Sequence, residues 1–117
     1  MLRGEVVIVS AQGDYGKPRP AVVVQNSRLL DQLDSVTVCF LTSKYVPTRN
    51  LRVTVEPDAA NGLRERSQVQ VDKLMTFPRS KVRGPIGRLG IDQMQDIDRY
   101  LMIFLDLLPP VPIAQST

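Results

Sequence analysis

Two short β-branched runs, Val6-Val7-Ile8-Val9 and Ala21-Val22-Val23-Val24, are apolar at every position. A strand with one wet face alternates apolar and polar side chains, so runs that do not alternate are expected to be covered on both faces. With 117 residues the chain buries about 60 to 70% of its unfolded surface and has enough material for a single domain with one core. Covering both faces within one small domain points to a barrel or to a sheet overlaid by a second layer. Residues 11–18, Ala-Gln-Gly-Asp-Tyr-Gly-Lys-Pro, are rich in turn formers, and they predict a hairpin with a long exposed loop between the runs.

The rest of the chain continues in short strands. Asn26-Ser27 offers an N-cap for a helical turn over 28–32, and 35–41 is β-rich. In 51–55, Leu51, Val53 and Val55 share one face and Arg52 and Thr54 the other. Asn61-Gly62 marks a turn. In 67–71, Gln68 and Gln70 lie opposite Val69 and Val71, so polar groups line one side. Residues 79–90 are expected to be loop-like, with a short strand between the turns that Gly84-Pro85 and Gly90 suggest.

The one convincing helix follows Asp92, with Met94, Ile97, Leu101, Phe104, Leu105 and Leu108 at spacings of three and four, and Pro109-Pro110 as its stop. Met102, Ile103 and Leu107 lie off that stripe and are expected to make core or dimer contacts. A mostly antiparallel sheet closed by one C-terminal helix results, with one folded unit over 1–108 and a proline-rich, poorly ordered tail over 109–117.

Apolar residues at 43% and charged residues at 23% exclude a disordered or collagen-like chain. The apolar stretch 100–108 is interrupted by Asp106 and falls far short of the roughly 20 residues that span a bilayer. The run 6–9 is too short for a signal-peptide core, so a cytoplasmic location and no membrane partner are expected. The lone Cys39, between Val38 and Phe40, is read as a core residue in a reducing compartment.

No histidine and a single cysteine leave little with which to hold zinc or to build a Cys/His nucleophile, so no metal and no cofactor are expected. Chemistry must come from Arg, Lys, Ser, Thr, Tyr, Asp or Glu. Fifteen Lys and Arg against twelve Asp and Glu give a net charge of +3. Arg19 stands between Pro18 and Pro20, whose rings restrict the backbone and so present a rigid cation suited to phosphate. Residues 42–50, Thr-Ser-Lys-Tyr-Val-Pro-Thr-Arg-Asn, bring hydroxyls and two cations to one loop. Asp72-Lys73 follows the Gln70 strand. Each has a plain alternative: a strand-initiating turn with a solvated arginine, a solvated loop, a surface turn pair. A nuclease built from these groups would use the 2′-hydroxyl of RNA as its nucleophile. Its arginine would stabilise charge on the phosphoryl oxygens, and a carboxylate would orient that arginine or serve as general base.

Arg3-Gly4-Glu5-Val6-Val7, Lys17-Pro18-Arg19-Pro20 with the strand up to Asn26, Val38-Cys39-Phe40-Leu41-Thr42-Ser43, the segment 67–76 and Gly87-Arg88-Leu89-Gly90 together resemble the MazF/PemK toxins of type II toxin–antitoxin systems. The resemblance runs to about Leu108. It implies an SH3-like β-barrel of the CcdB–MazF type with a C-terminal α-helix. It also implies a homodimer acting as a metal-independent, sequence-specific endoribonuclease on single-stranded RNA, halting translation and growth. On this resemblance Arg19, Thr42 and Asp72 are the catalytic candidates. Lys17, Ser43, Lys44, Arg49, Gln70 and Thr76 are the RNA-binding ones. The partner it implies is an antitoxin with an acidic, partly disordered segment. The chain departs from the PemK branch in lacking a first-loop histidine and in carrying Gln70 where that branch has arginine. Two alternatives on the same fold are a CcdB-like gyrase inhibitor and a relative that binds RNA or antitoxin without cutting.

Overall fold

The computed structural model describes residues 1–10, 17–47 and 51–107. The first-loop segment 11–16, residues 48–50 and residues 108–117, which include Leu108 of the expected helix stripe and the expected tail, lie outside them. Six strands, β1 (Glu5–Val9), β2 (Arg19–Val23), β3 (Ser35–Thr42), β4 (Arg52–Val55), β5 (Ser67–Pro78) and β6 (Val82–Arg88), form one sheet in the order β4-β5-β3-β2-β1-β6. All neighbours are antiparallel. Helix α1 (Ser27–Leu30) starts at Asn26, whose side chain accepts the Arg28 N–H, and α2 (Ile91–Phe104) is the last element.

The two apolar runs are buried on both faces, as their lack of alternation requires. Val6 and Val22 join Cys39, Leu41, Val53, Val55, Val69, Val71 and Ile97 on one side of the sheet. Val7, Val9, Ala21 and Val23 join Leu30, Val38, Phe40 and Phe77 on the other. The single core expected from chain length is thus divided by the sheet itself into two clusters sharing strands. Helix α2 covers the first, packing on β4 and β5 and laying Met94, Ile97, Tyr100 and Leu101 against it. Phe104 and Leu105, placed on the same stripe by periodicity, are instead exposed, because α2 runs past the edge of the strands that it covers.

Among the described residues the outer strands β4 and β6 do not pair, so the sheet is barrel-like rather than closed. The gap is bridged by the turn after β4, where the Arg88 N–H donates to Ala60 O at 2.8 Å. Two glycines permit that approach. A Cβ on Gly87 would stand 2.3 Å from the Asn61 carbonyl carbon, and Gly62, at φ +70°, would place one 2.3 Å from Ile86 O. Strand β6 is the short strand expected within 79–90, but it runs through Gly84 and Pro85. Its pairing with β1 shifts register between Val6 and Ile8, and Gly84 and Pro85 fall in the resulting bulge instead of ending the strand. A comparable irregularity opposite Phe40 lets β5 continue to Pro78, well beyond Val71.

The Arg3-Gly4-Glu5 start is structural. Gly4, at φ +92°, donates to Val23 O at 2.8 Å and accepts from the Leu89 N–H at 2.9 Å. Arg3 Nε donates to Val24 O at 2.8 Å, and its guanidinium pairs with Asp98 of α2. The segment ties both ends of the fold to the edge of β2.

Candidate functional site

A cleft of about 670 Å³ opens at one end of the sheet. Ile8 of β1, Arg19 and Pro20 of β2, and Leu41 and Thr42 of β3 form one wall. The turn from Gly62 to Glu65, together with Ser67 and Ile86, forms the other. Ala21 pairs with Phe40, so the β2–β3 register, carried two residues further, sets Arg19 across from Thr42. Residues 23 apart in sequence thereby share one mouth.

Arg19 leaves its backbone between two proline rings, and its guanidinium carbon lies 4.5 Å from the centroid of the Phe40 ring. Phe40 is itself fixed by an edge-to-face contact with Phe77, at 5.7 Å and 77°. The Thr42 hydroxyl accepts the Lys44 N–H at 3.2 Å, and a hydroxyl that accepts keeps its own O–H to donate. Ser43 stands next to it in the cleft wall.

Gln68, which sequence alone could only assign to a polar face, braces the loop that follows. It is 3% exposed. Its Oε1 accepts from the Val46 N–H at 3.1 Å and from Arg52 Nη1 at 3.0 Å, and its Nε2 donates to Val46 O at 3.1 Å. Arg52 also reaches Lys44 O at 3.3 Å. The opposite wall is stiffened by buried Asn61, whose Oδ1 accepts the Leu63 N–H at 3.0 Å while its Nδ2 donates to Glu56 O at 2.8 Å.

The expected site residues therefore separate. Arg19, Thr42 and Ser43 meet in the cleft; Lys17 and Lys44 are exposed beside it, on segments leading into β2 and out of β3. Arg49 lies outside the described residues. Gln70 is buried across from Arg52, and its Oε1 has no hydrogen-bond partner among the described residues. Asp72 is exposed and is not part of the cleft wall. Its charge instead acts on Cys39, where burial first, opposed by Arg3 and reinforced by Asp72, pushes the thiol up to about 12. Thr76 shares a 2.6 Å hydroxyl contact with Thr37. Thr37 sits five residues from Thr42 along β3, about 16 Å at the usual strand rise.

Arg64 and Glu65 line the cleft and were not singled out from sequence. Their signal was present as the charged run Arg64-Glu65-Arg66 just after the Asn61-Gly62 turn. Among the described residues no three His, Cys, Asp or Glu side chains converge as metal ligands, and no helix is long and apolar enough to cross a membrane.

The fold and cleft define a small antiparallel β domain, capped by one helix and carrying arginines and hydroxyls at the end of its sheet. That class has a family: residues 2–105 match the sequence profile of the PemK-like, MazF-like toxins of type II toxin–antitoxin systems, and the chain belongs to that family. It is 39% identical over 108 residues to a "Probable endoribonuclease MazF" from Mycolicibacterium smegmatis, covering 92% of this chain and 98% of that protein. The toxin MazF-mt6 of Mycobacterium tuberculosis superposes with a TM-score of 0.76 at 26% identity, over 90% of this chain and 99% of that one. An endoribonuclease in complex with its cognate antitoxin, from a mycobacterial species, shares the fold with a TM-score of 0.78. It is 23% identical and aligned over 94% of this chain and 99% of its own.

Proposed function

We propose that this protein is the toxin of a toxin–antitoxin pair and a metal-independent, sequence-specific endoribonuclease for single-stranded RNA, arresting translation and growth from the cytoplasm. The observation that carries the reading is the presence of Arg19 and Thr42 together in the lining of one cleft, on the fold of a family whose 39% identical member is a probable endoribonuclease. In the proposed reaction the 2′-oxygen forms a bond to phosphorus, its proton passes to a base, and the 5′-oxygen leaves and is protonated. The products are a 2′,3′-cyclic phosphate and a 5′-hydroxyl. Arg19 meets the charge gathering on the non-bridging oxygens, because its planar fork contacts two oxygens at once and keeps its charge. Thr42 donates to the same phosphate. A threonine hydroxyl is too weak an acid to act as a free base, so the candidate acceptor for the 2′ proton is Glu65, the one carboxylate among the described residues of the cleft wall.

An antitoxin accompanies the structural neighbour aligned at 23% identity. For this chain we assign the same kind of partner, with an acidic segment attracted by the cations that hold RNA, Lys17, Arg19, Lys44 and Arg49. The exposed apolar end of α2, Met102, Ile103, Phe104, Leu105 and Leu107, supports a homodimer contact there. It also keeps a second reading open, in which that end grips a topoisomerase as in CcdB-like inhibitors.

Incubation of the protein with a long mixed-sequence RNA in EDTA, with mapping of new 5′ ends, tests the proposal. Discrete cuts are expected. Arg19→Ala should reduce them by about 100-fold or more while remaining folded. Glu65→Gln should lower the rate about 100-fold, and Asp72→Asn should leave it within about twofold. A folded Arg19→Ala protein with full activity would overturn the mechanism. Loss of activity in Asp72→Asn would return the base role to Asp72. A folded wild type that cuts nothing would direct the next assay to topoisomerase inhibition.

A further inference from the structure

Tyr45 is a large aromatic side chain left 50% exposed, two residues beyond Ser43 in the cleft wall. Its ring is not loose. The Arg66 guanidinium carbon sits 3.9 Å from the ring centroid, and Arg66 Nε is held in turn 3.5 Å from Glu56 Oε1. The backbone on either side is pinned as well, Lys44 O by Arg52 and both polar groups of Val46 by the buried Gln68 amide. Arg66 is flanked by Glu65 and Ser67, which line the opposite wall, so the stack spans the rim where the two walls meet.

We propose that Tyr45, backed by Arg66, is a stacking platform for one unpaired nucleobase beside the scissile phosphate. The inference rests on the ribonuclease reading and adds to it a base contact outside the catalytic group. Single-stranded RNA is held chiefly by cations along its backbone and by aromatic faces under its bases, and the described cleft wall supplies arginines and hydroxyls but no aromatic ring. A ring already fixed from behind loses little rotamer freedom when a base lands on it, so more of the stacking energy is realised as affinity. Stacking tolerates every base and favours the larger purine surface, so the platform biases one position of the cut sequence without reading hydrogen-bond edges.

The test uses 2′-O-methyl RNA of the cut sequence, which cannot supply the nucleophile, with 2-aminopurine placed in turn at each position. The wild type should quench the fluorescence at one position next to the cut. Tyr45→Phe should retain quenching and bind within about twofold. Tyr45→Leu and Tyr45→Ala, with melting temperatures close to that of the wild type, should lose the quenching and bind about 5- to 150-fold more weakly. Cleavage by both should lose its purine bias at that position. If wild-type protein binds and cuts RNA while Tyr45→Ala matches it in affinity and cut sites, the platform is overturned and the ribonuclease reading stands. Equal loss in Tyr45→Phe would assign the effect to the hydroxyl and also overturn stacking. If the wild type neither binds nor cuts RNA, both readings fall together.

Discussion

Arg19 and Cys39 show how neighbouring strands give their side chains opposite fates. Arg19 reaches the end of its strand and turns onto the face of Phe40, where it is oriented yet open to the cleft. Cys39, one residue before that same phenylalanine, points to the other face and is fully buried. Its thiol, pushed from 9.0 up to about 12, stays protonated in the fold at pH values where the unfolded chain has already released the proton. The unfolded state then binds fewer protons than the native one, so stability falls as pH rises from about 9 towards 12. Between pH 8 and 10.5 the loss from this group is expected to be about 2 kcal/mol, read by urea unfolding of the wild type against Cys39→Ala, which lacks that component. The sequence made the core position of Cys39 legible from its apolar flanks. It also marked Arg19 through its two prolines. It could not show that the cleft wall includes Thr42 but neither Asp72 nor Thr76, because that depends on how β5 is registered against β3.

At the scale of elements, what could be read was whatever depends on local pattern: the unalternating β1 and β2, the Asn26 cap of α1, and the start of α2. What could not was the extent of β6, where Gly84 and Pro85 look like punctuation until a partner strand turns them into a bulge. The same holds for the cleft's second wall, since Gly62 to Glu65 meets Ile86 only through a contact between distant segments. That contact has no room to spare. Gly87→Ala would drive a methyl group into the Asn61 backbone and part the turn from β6. The expected cost is about 1 to 3 kcal/mol in chemical unfolding, with RNA cleavage falling further than the stability loss explains because the wall moves. Unchanged stability in this variant would show that the turn yields.

Across the whole molecule, the most uneven feature is α2, whose first turns are seated on β4 and β5 while its last turn and the residues after it are bare. Ile103, 61% exposed, is central to that patch, and Ile103→Asp is expected to shift sedimentation from dimer to monomer at micromolar concentration while leaving the melting of the protomer nearly unchanged. A variant that sediments as the wild type would place the dimer contact elsewhere. The order of the sheet carries a different consequence. Strand β1, made first, is flanked by β6, made almost last, and the cleft draws on Ile8 and Ile86 together. Pairing of segments so far apart waits until nearly the whole domain has emerged from the ribosome, several seconds after Arg19 has been added at ordinary rates of synthesis. A protein whose proposed substrate is single-stranded RNA thus carries its cleft in an unassembled form for most of its own making, and completes it only when the last strand closes on the first.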